Sequence, residues 1–207
     1  VNTVSNQVIC NGSASAAVNF STTATGGTVT YAWTNSNTTI GLSASGSGNI
    51  ASFTATNNGT APAIATITVT PTFTNDGVSC QGTAQTFTIT VNPTATVNAI
   101  SNQTVCNGAA VSAVNFATAA TGGTVTYAWT NSNASIGLAA SGTGNIASFT
   151  ATNSSNAPIT ATITVTATFT NAGVSCTGTA QSFTVTVNPT AVVNGVSNQI
   201  VCAGSTN

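Results

Sequence analysis

Hydrophobic residues recur at every second position over short runs of this chain. Val29, Tyr31 and Trp33 alternate with Thr30, Ala32 and Thr34, while Ile67, Val69, Pro71 and Phe73 alternate with the five threonines from Thr66 to Thr74. A period of two marks strands with one buried face, and Thr suits the outward positions of a pleated surface. No segment carries helical periodicity. In order, Val1 to Ile9 supplies a first strand, Cys10-Asn11-Gly12 a turn, and Ala16 to Thr22 a second strand with Val18 and Phe20 on one face. The Trp33 strand leaves a Gly26-Gly27 turn and is expected at the centre of the sheet. Ile40 to Ser45 is a short strand before the turn Gly46 to Asn49, and Ala51, Phe53 and Ala55 mark the next. Pro71 has no N–H for a ladder, which predicts an edge or a bulge there. Asn75-Asp76-Gly77 turns the chain, and Phe87, Ile89 and Val91 close the sheet before Asn92-Pro93.

The same pattern then starts again. A shift of 96 residues superimposes Cys10 on Cys106 and Cys202, Trp33 on Trp129, and Cys80 on Cys176, with 72 of 96 positions identical between the first two copies. A period this long suits one closed sandwich per repeat, not a turn of a solenoid. The expected organisation is repeat 1 at 1–93, repeat 2 at 94–189, and the first strand of a further repeat at 190–207, the whole looking like an excerpt from a longer chain. Asn-Pro-Thr is the only linker. So short a junction, with φ fixed by Pro, predicts stiff end-to-end stacking at roughly 35 to 45 Å per repeat. Trp33 and Trp129, with Tyr31 and Tyr127, are the expected core aromatics.

Composition narrows the function classes. Among 207 residues there is no Lys, Arg, His or Glu, and Asp76 is the single acidic residue, replaced by Ala172 in the second copy. General acid-base catalysis needs a tunable group, so no catalytic residue and no enzyme is expected. Phosphate backbones need cations, so no nucleic-acid partner is expected. Calcium sites need several carboxylates and zinc sites closely spaced ligands, so neither metal nor cofactor is expected. No apolar run reaches the roughly 18 residues of a membrane span. Asn-x-Ser/Thr triplets at Asn11, Asn37, Asn58, Asn102, Asn133 and Asn153 are read as chance in a chain so rich in these residues.

Five Cys without a neighbouring base point to disulfides in an oxidising compartment. Cys10 precedes the second strand and Cys80 lies in the last hairpin. An odd number of chain reversals between them places the two at opposite poles of one repeat, beyond the roughly 4.4 to 6.8 Å that a bridge spans. The same count brings Cys10 to the hairpin of the next repeat, so an inter-domain bond from Cys10 to Cys176 is expected. If Ile40 to Ser45 is a loop that changes the parity, the pairs are Cys10 with Cys80 and Cys106 with Cys176.

The segments VNAISNQTVCNG, YAWTNSN, GNIASFTATN and FTVTVNPT resemble the PKD-like and immunoglobulin-like repeats of giant cell-surface proteins of Bacteroidota, over both full copies. The resemblance implies tandem all-β sandwiches in very long secreted chains, often exported by the type IX system and displayed as adhesin filaments, gliding-motility adhesins included. It implies no catalytic residue. The family's glycosylation pattern, Asp followed by Ser or Thr, is missing because Gly77 follows Asp76.

The expectation is therefore a structural segment of a long extracellular adhesin or surface filament, resistant to pH and to trypsin-type proteases, serving surface adhesion or gliding. Its partners would be neighbouring repeats and, since no charge guards the edge strands, lateral copies in bundles. The alternative is a binding module whose outward rows, such as Thr66 to Thr72, meet polysaccharide or ice.

Overall fold

The computed structural model describes residues 1–200 and 202–204. Repeat 1 contains β1 (Gln7–Cys10), β2 (Thr28–Asn35), β3 (Ser45–Ser47), β4 (Ala63–Asn75), β5 (Val78–Gln81) and β6 (Gln85–Asn92). Repeat 2 contains β7 (Gln103–Cys106), β8 (Ala110–Val111), β9 (Thr124–Asn131), β10 (Ser141–Thr143), β11 (Phe149–Thr150), β12 (Ile159–Asn171), β13 (Val174–Thr177) and β14 (Gln181–Asn188). Each repeat has one full sheet, in the order β1-β6-β4-β2-β3 and its counterpart β7-β14-β12-β9-β10, with the first strand parallel to the last. The second layer is thin: the segments around Val18 and Ile50 meet through isolated antiparallel bridges, and in repeat 2 β8 pairs with β11. This is an all-β, immunoglobulin-like sandwich, repeated.

The two layers close over two separate cores. Ile67, Val69, Phe87, Ile89 and Val91 fill the first together with Val18, Phe20, Trp33 and Ile50, and the second opens at Ala95. Trp33 and Trp129 are buried as expected of core aromatics, each indole lying on a glycine of the neighbouring strand, Gly46 or Gly142, where a Cβ would overlap the ring. Tyr31 and Tyr127 are half-buried and stack obliquely on Phe20 and Phe116 at 5.6 Å between centroids.

Several expectations change. The centre of the sheet is the 13-residue β4, not the Trp33 strand, because the last hairpin and β2 pair with its two sides. Pro71 therefore sits inside the sheet instead of at an edge. Its carbonyl accepts from Gly82 N–H, so its ring nitrogen faces the joint where β5 gives way to β6 and the ladder is already interrupted. Residues 40–44 form no strand. Asn37 accepts from Thr39 N–H and Gly41 adopts φ 92°, which closes a 3-10 turn over Thr38–Ile40 and sends Ile40 and Leu42 into the core. The strand comes later, at Ser45–Ser47, where a turn was expected. The 16–22 segment makes a single bridge, since Phe20 N–H goes to the Asn49 side chain and not to a ladder partner. In the segment after it, Ala55 is buried but Ala51 faces solvent. The first strand is regular only from Gln7: Asn2 bonds the second layer at Ser21 before the chain crosses to β6.

At the other end, residues 190–200 and 202–204 carry no strand, because the partner of a first strand is the last strand of its own repeat. Residue 201 and residues 205–207 of the expected third unit lie outside the described residues. Among the described residues no helix is long and apolar enough to cross a membrane.

Candidate functional site

The register of the sheet decides which groups face the next repeat. Ala63 pairs with Val91, so β4 begins at the pole where β6 ends and finishes, at Asn75, at the opposite pole. Parallel pairing of Cys10 with Asn92 brings these two residues side by side at the exit pole. In repeat 2 the entry pole is the hairpin between β12 and β13, whose turn residues Ala172 and Gly173 both have positive φ, 47° and 77°. The repeats meet there, end to end.

Cys10 is bonded to Cys176, with the Cα atoms 5.5 Å apart, within the usual range of a disulfide. Of the two pairings the sequence left open, the structure contains the inter-domain one, and Cys80 and Cys106 are exposed thiols. Beside the bond, Asn92 is fully buried, and its side chain donates to the carbonyls of Asn171 and Val174 while accepting from the Asn171 amide at 3.0 Å. Buried amides are tolerated only when bonded in this way. Linker residues Pro93 and Ala95 are buried too, and Gly178 lies so close to the Ala95 carbonyl that a Cβ there would collide with it. Val97 then joins repeat 2 by a bridge to Thr118. On the far side, Thr121 N–H donates to the Thr60 carbonyl at 2.7 Å and the Pro62 ring covers Gly122. One covalent bond, two crossed asparagines and a buried linker thus span the junction.

The exit pole is itself braced by amides. Asn11 donates to the Thr94 hydroxyl and accepts from Asn57 N–H, and Asn57 donates to the carbonyls of Ala61 and Val91. Asn107, Thr190 and Asn153 repeat the arrangement in the second copy. Five of the six Asn-x-Ser/Thr positions are occupied by such work: besides Asn11 and Asn153, Asn37 and Asn133 cap the 3-10 turns and Asn102 accepts from Thr184 N–H. Sequence reasoning missed the amides altogether. The signal that was available is their exact recurrence at 96-residue spacing in a chain without charged alternatives.

The outward hydroxyls are less available than their alternation implied. Thr66 is exposed, but Thr68, Thr70 and Thr72 are half-buried between neighbouring strands. Hydroxyls also bond to one another across strands, as in Thr74 with Ser79, Thr160 with Thr186 and Thr164 with Ser182, at 2.9 to 3.0 Å. The groove along Thr130, Thr164 and Thr166 includes Trp129 in its lining, but only 7% of that residue is exposed.

No family model matches the chain, and no curated protein matches it. Among solved structures it is similar to the zebrafish RET cadherin-like domains 1 to 4, with 12% identity and a TM-score of 0.30, over 78% of this chain and 41% of that one. The chain spans less than half the length of that structure.

Proposed function

We propose that the chain is a structural segment of the shaft of a long extracellular adhesin or surface filament, serving reach and stiffness. The observation that carries this reading is the junction: a shaft needs repeats that cannot swivel, and here a disulfide, the Asn92–Asn171 pair and the buried Ala95 fix one repeat on the next. A disulfide suits an oxidising, extracellular setting. The composition supports durability, since a chain without Lys or Arg has no site for trypsin-type cleavage, and one with a single acidic residue gives pH little to act on. The resemblance to Bacteroidota surface repeats suggests gliding or adhesion as the setting.

Small-angle scattering of the oxidised chain tests this. Thirteen residues of β4 span about 43 Å at about 3.3 Å each, so two stacked repeats should give one rod of roughly 85 to 90 Å. A broad distribution of lengths, the mark of a hinge between repeats, would refute the reading.

A further inference from the structure

Three Asn-Gly pairs lie within the two repeats, and the fold treats them differently. With glycine next in the chain, no Cβ shields the following backbone nitrogen from the asparagine side chain. Asn11 and Asn107 are nevertheless held at both ends: each accepts from a backbone N–H, of Asn57 or Asn153, and donates to a hydroxyl, of Thr94 or Thr190. The nitrogens after them, at Gly12 and Gly108, donate to the carbonyls of the buried residues Ala55 and Ala151 at 2.8 Å. Asn58 has none of these restraints. Its side chain is exposed and has no hydrogen-bond partner among the described residues, and residues 58–61 form an exposed stretch leading into β4. Only the Gly59 N–H is engaged, donating to Asn57 Oδ1 at 2.9 Å. Repeat 2 already sits against this stretch, through Thr60 and Pro62, and leaves Asn58 open.

We infer that Asn58 is a site of spontaneous deamidation, with water as the co-reactant, and that the reaction loosens this side of the junction. The Gly59 nitrogen, having given its proton to hydroxide, attacks Cγ of Asn58. An N–C bond forms, the bond from Cγ to the amide nitrogen breaks, and ammonia leaves carrying a proton from water. Water then opens the five-membered succinimide at either carbonyl and leaves an aspartyl or isoaspartyl residue. One water is consumed and one ammonia is released. Either product puts a carboxylate into a chain with a single acidic residue. The neighbouring groups depend on this stretch: Asn57, 6% exposed, donates to the Ala61 and Val91 carbonyls, and the Thr60 carbonyl accepts from Thr121 N–H of repeat 2. While the succinimide stands, Gly59 has no N–H for buried Asn57, and a buried polar group that loses its partner destabilises. The isoaspartyl product also adds a backbone atom before Gly59, which displaces Thr60 and Ala61. Repeat 2 escapes this chemistry, because Ser154 and Ser155 occupy the equivalent positions.

The full oxidised chain is aged at mildly alkaline pH, folded and in concentrated urea, and mapped by chymotryptic digestion with tandem mass spectrometry. In the folded chain Asn58 should convert about ten-fold or more faster than Asn11 and Asn107, which must first open locally, and in urea the three rates should converge. Gly59→Ala adds a Cβ that meets only Asn57 Oδ1, at 3.3 Å, and should slow Asn58 about ten-fold or more by crowding the attacking nitrogen. Ageing should also lower hydrogen-exchange protection of the Thr121 amide by about ten-fold, while an aged Asn58→Gln chain keeps it. A folded-state rate at Asn58 no greater than at Asn11 and Asn107, or one indifferent to Gly59→Ala, would overturn the site. Conversion with Thr121 protection unchanged would overturn the loosening. Neither failure touches the scattering of the fresh chain, on which the shaft reading is judged.

Discussion

Cys80 and Cys176 occupy the same place in two hairpins of nearly identical sequence, yet Cys80 is exposed and Cys176 is 3% exposed. The contrast extends to Phe73 and Phe169, Val78 and Val174, and Gly26 and Gly122, all on the entry pole. Along β2 and β9, by contrast, burial is the same residue for residue. At this pole burial differs: a neighbouring repeat covers the second hairpin, and Pro71, Asp76 and Gln81 of the first are Ala167, Ala172 and Thr177 in the second.

Removing the covalent part of the junction should have the largest effect. Cys10 and Cys176 are 166 residues apart, so reduction or Cys10→Ser should cost about 5 kcal/mol in the chain-entropy picture. Calorimetry should show one transition of the oxidised chain separating into two. Next come the paired phenylalanines. Phe169→Ala should cost about 3 to 5 kcal/mol, as for a fully buried ring, and Phe73→Ala distinctly less, read from denaturant midpoints. Equal losses would show that the linker does not complete the second core. Gly46→Ala and Gly142→Ala press a methyl group on an indole and should each cost about 1 to 3 kcal/mol, equally in the two repeats because this region is alike in both. The smallest change is a gain. Ala172 holds φ 47° where repeat 1 has Asp76, so Ala172→Gly should stabilise repeat 2 by about 0.5 to 1 kcal/mol in thermal melts.

The long strands β2, β4 and β6, the buried tryptophans and the repeat could be read directly, because alternation and self-similarity survive in the letters. The disulfide partner followed from counting reversals. That count included a strand at Ile40 to Ser45 which does not exist, and it held because β3, a few residues later, supplies the same reversal. What stayed hidden depends on contacts between distant segments. Pro71 was read as an edge or a bulge, and the letters do not show which: the ladder is interrupted opposite it, at Gly82, inside the sheet. Asn92 and Asn171 looked like turn residues, and only the meeting of two poles reveals them as a bonded pair. Ala95 and Gly178 carried no signal at all, since smallness matters only where two backbones approach.

The bond between Cys10 and Cys176 also sets how the molecule bears load. A pull applied beyond these two residues runs through the sulfur atoms and bypasses everything between them, so the stretch from Cys10 to Cys176 can melt without lengthening the tether. The shielded stretch is 166 residues, or roughly 560 Å of contour at about 3.4 Å per residue. Stretching single molecules with and without a reductant should reveal that reserve as extension released only after the sulfurs part.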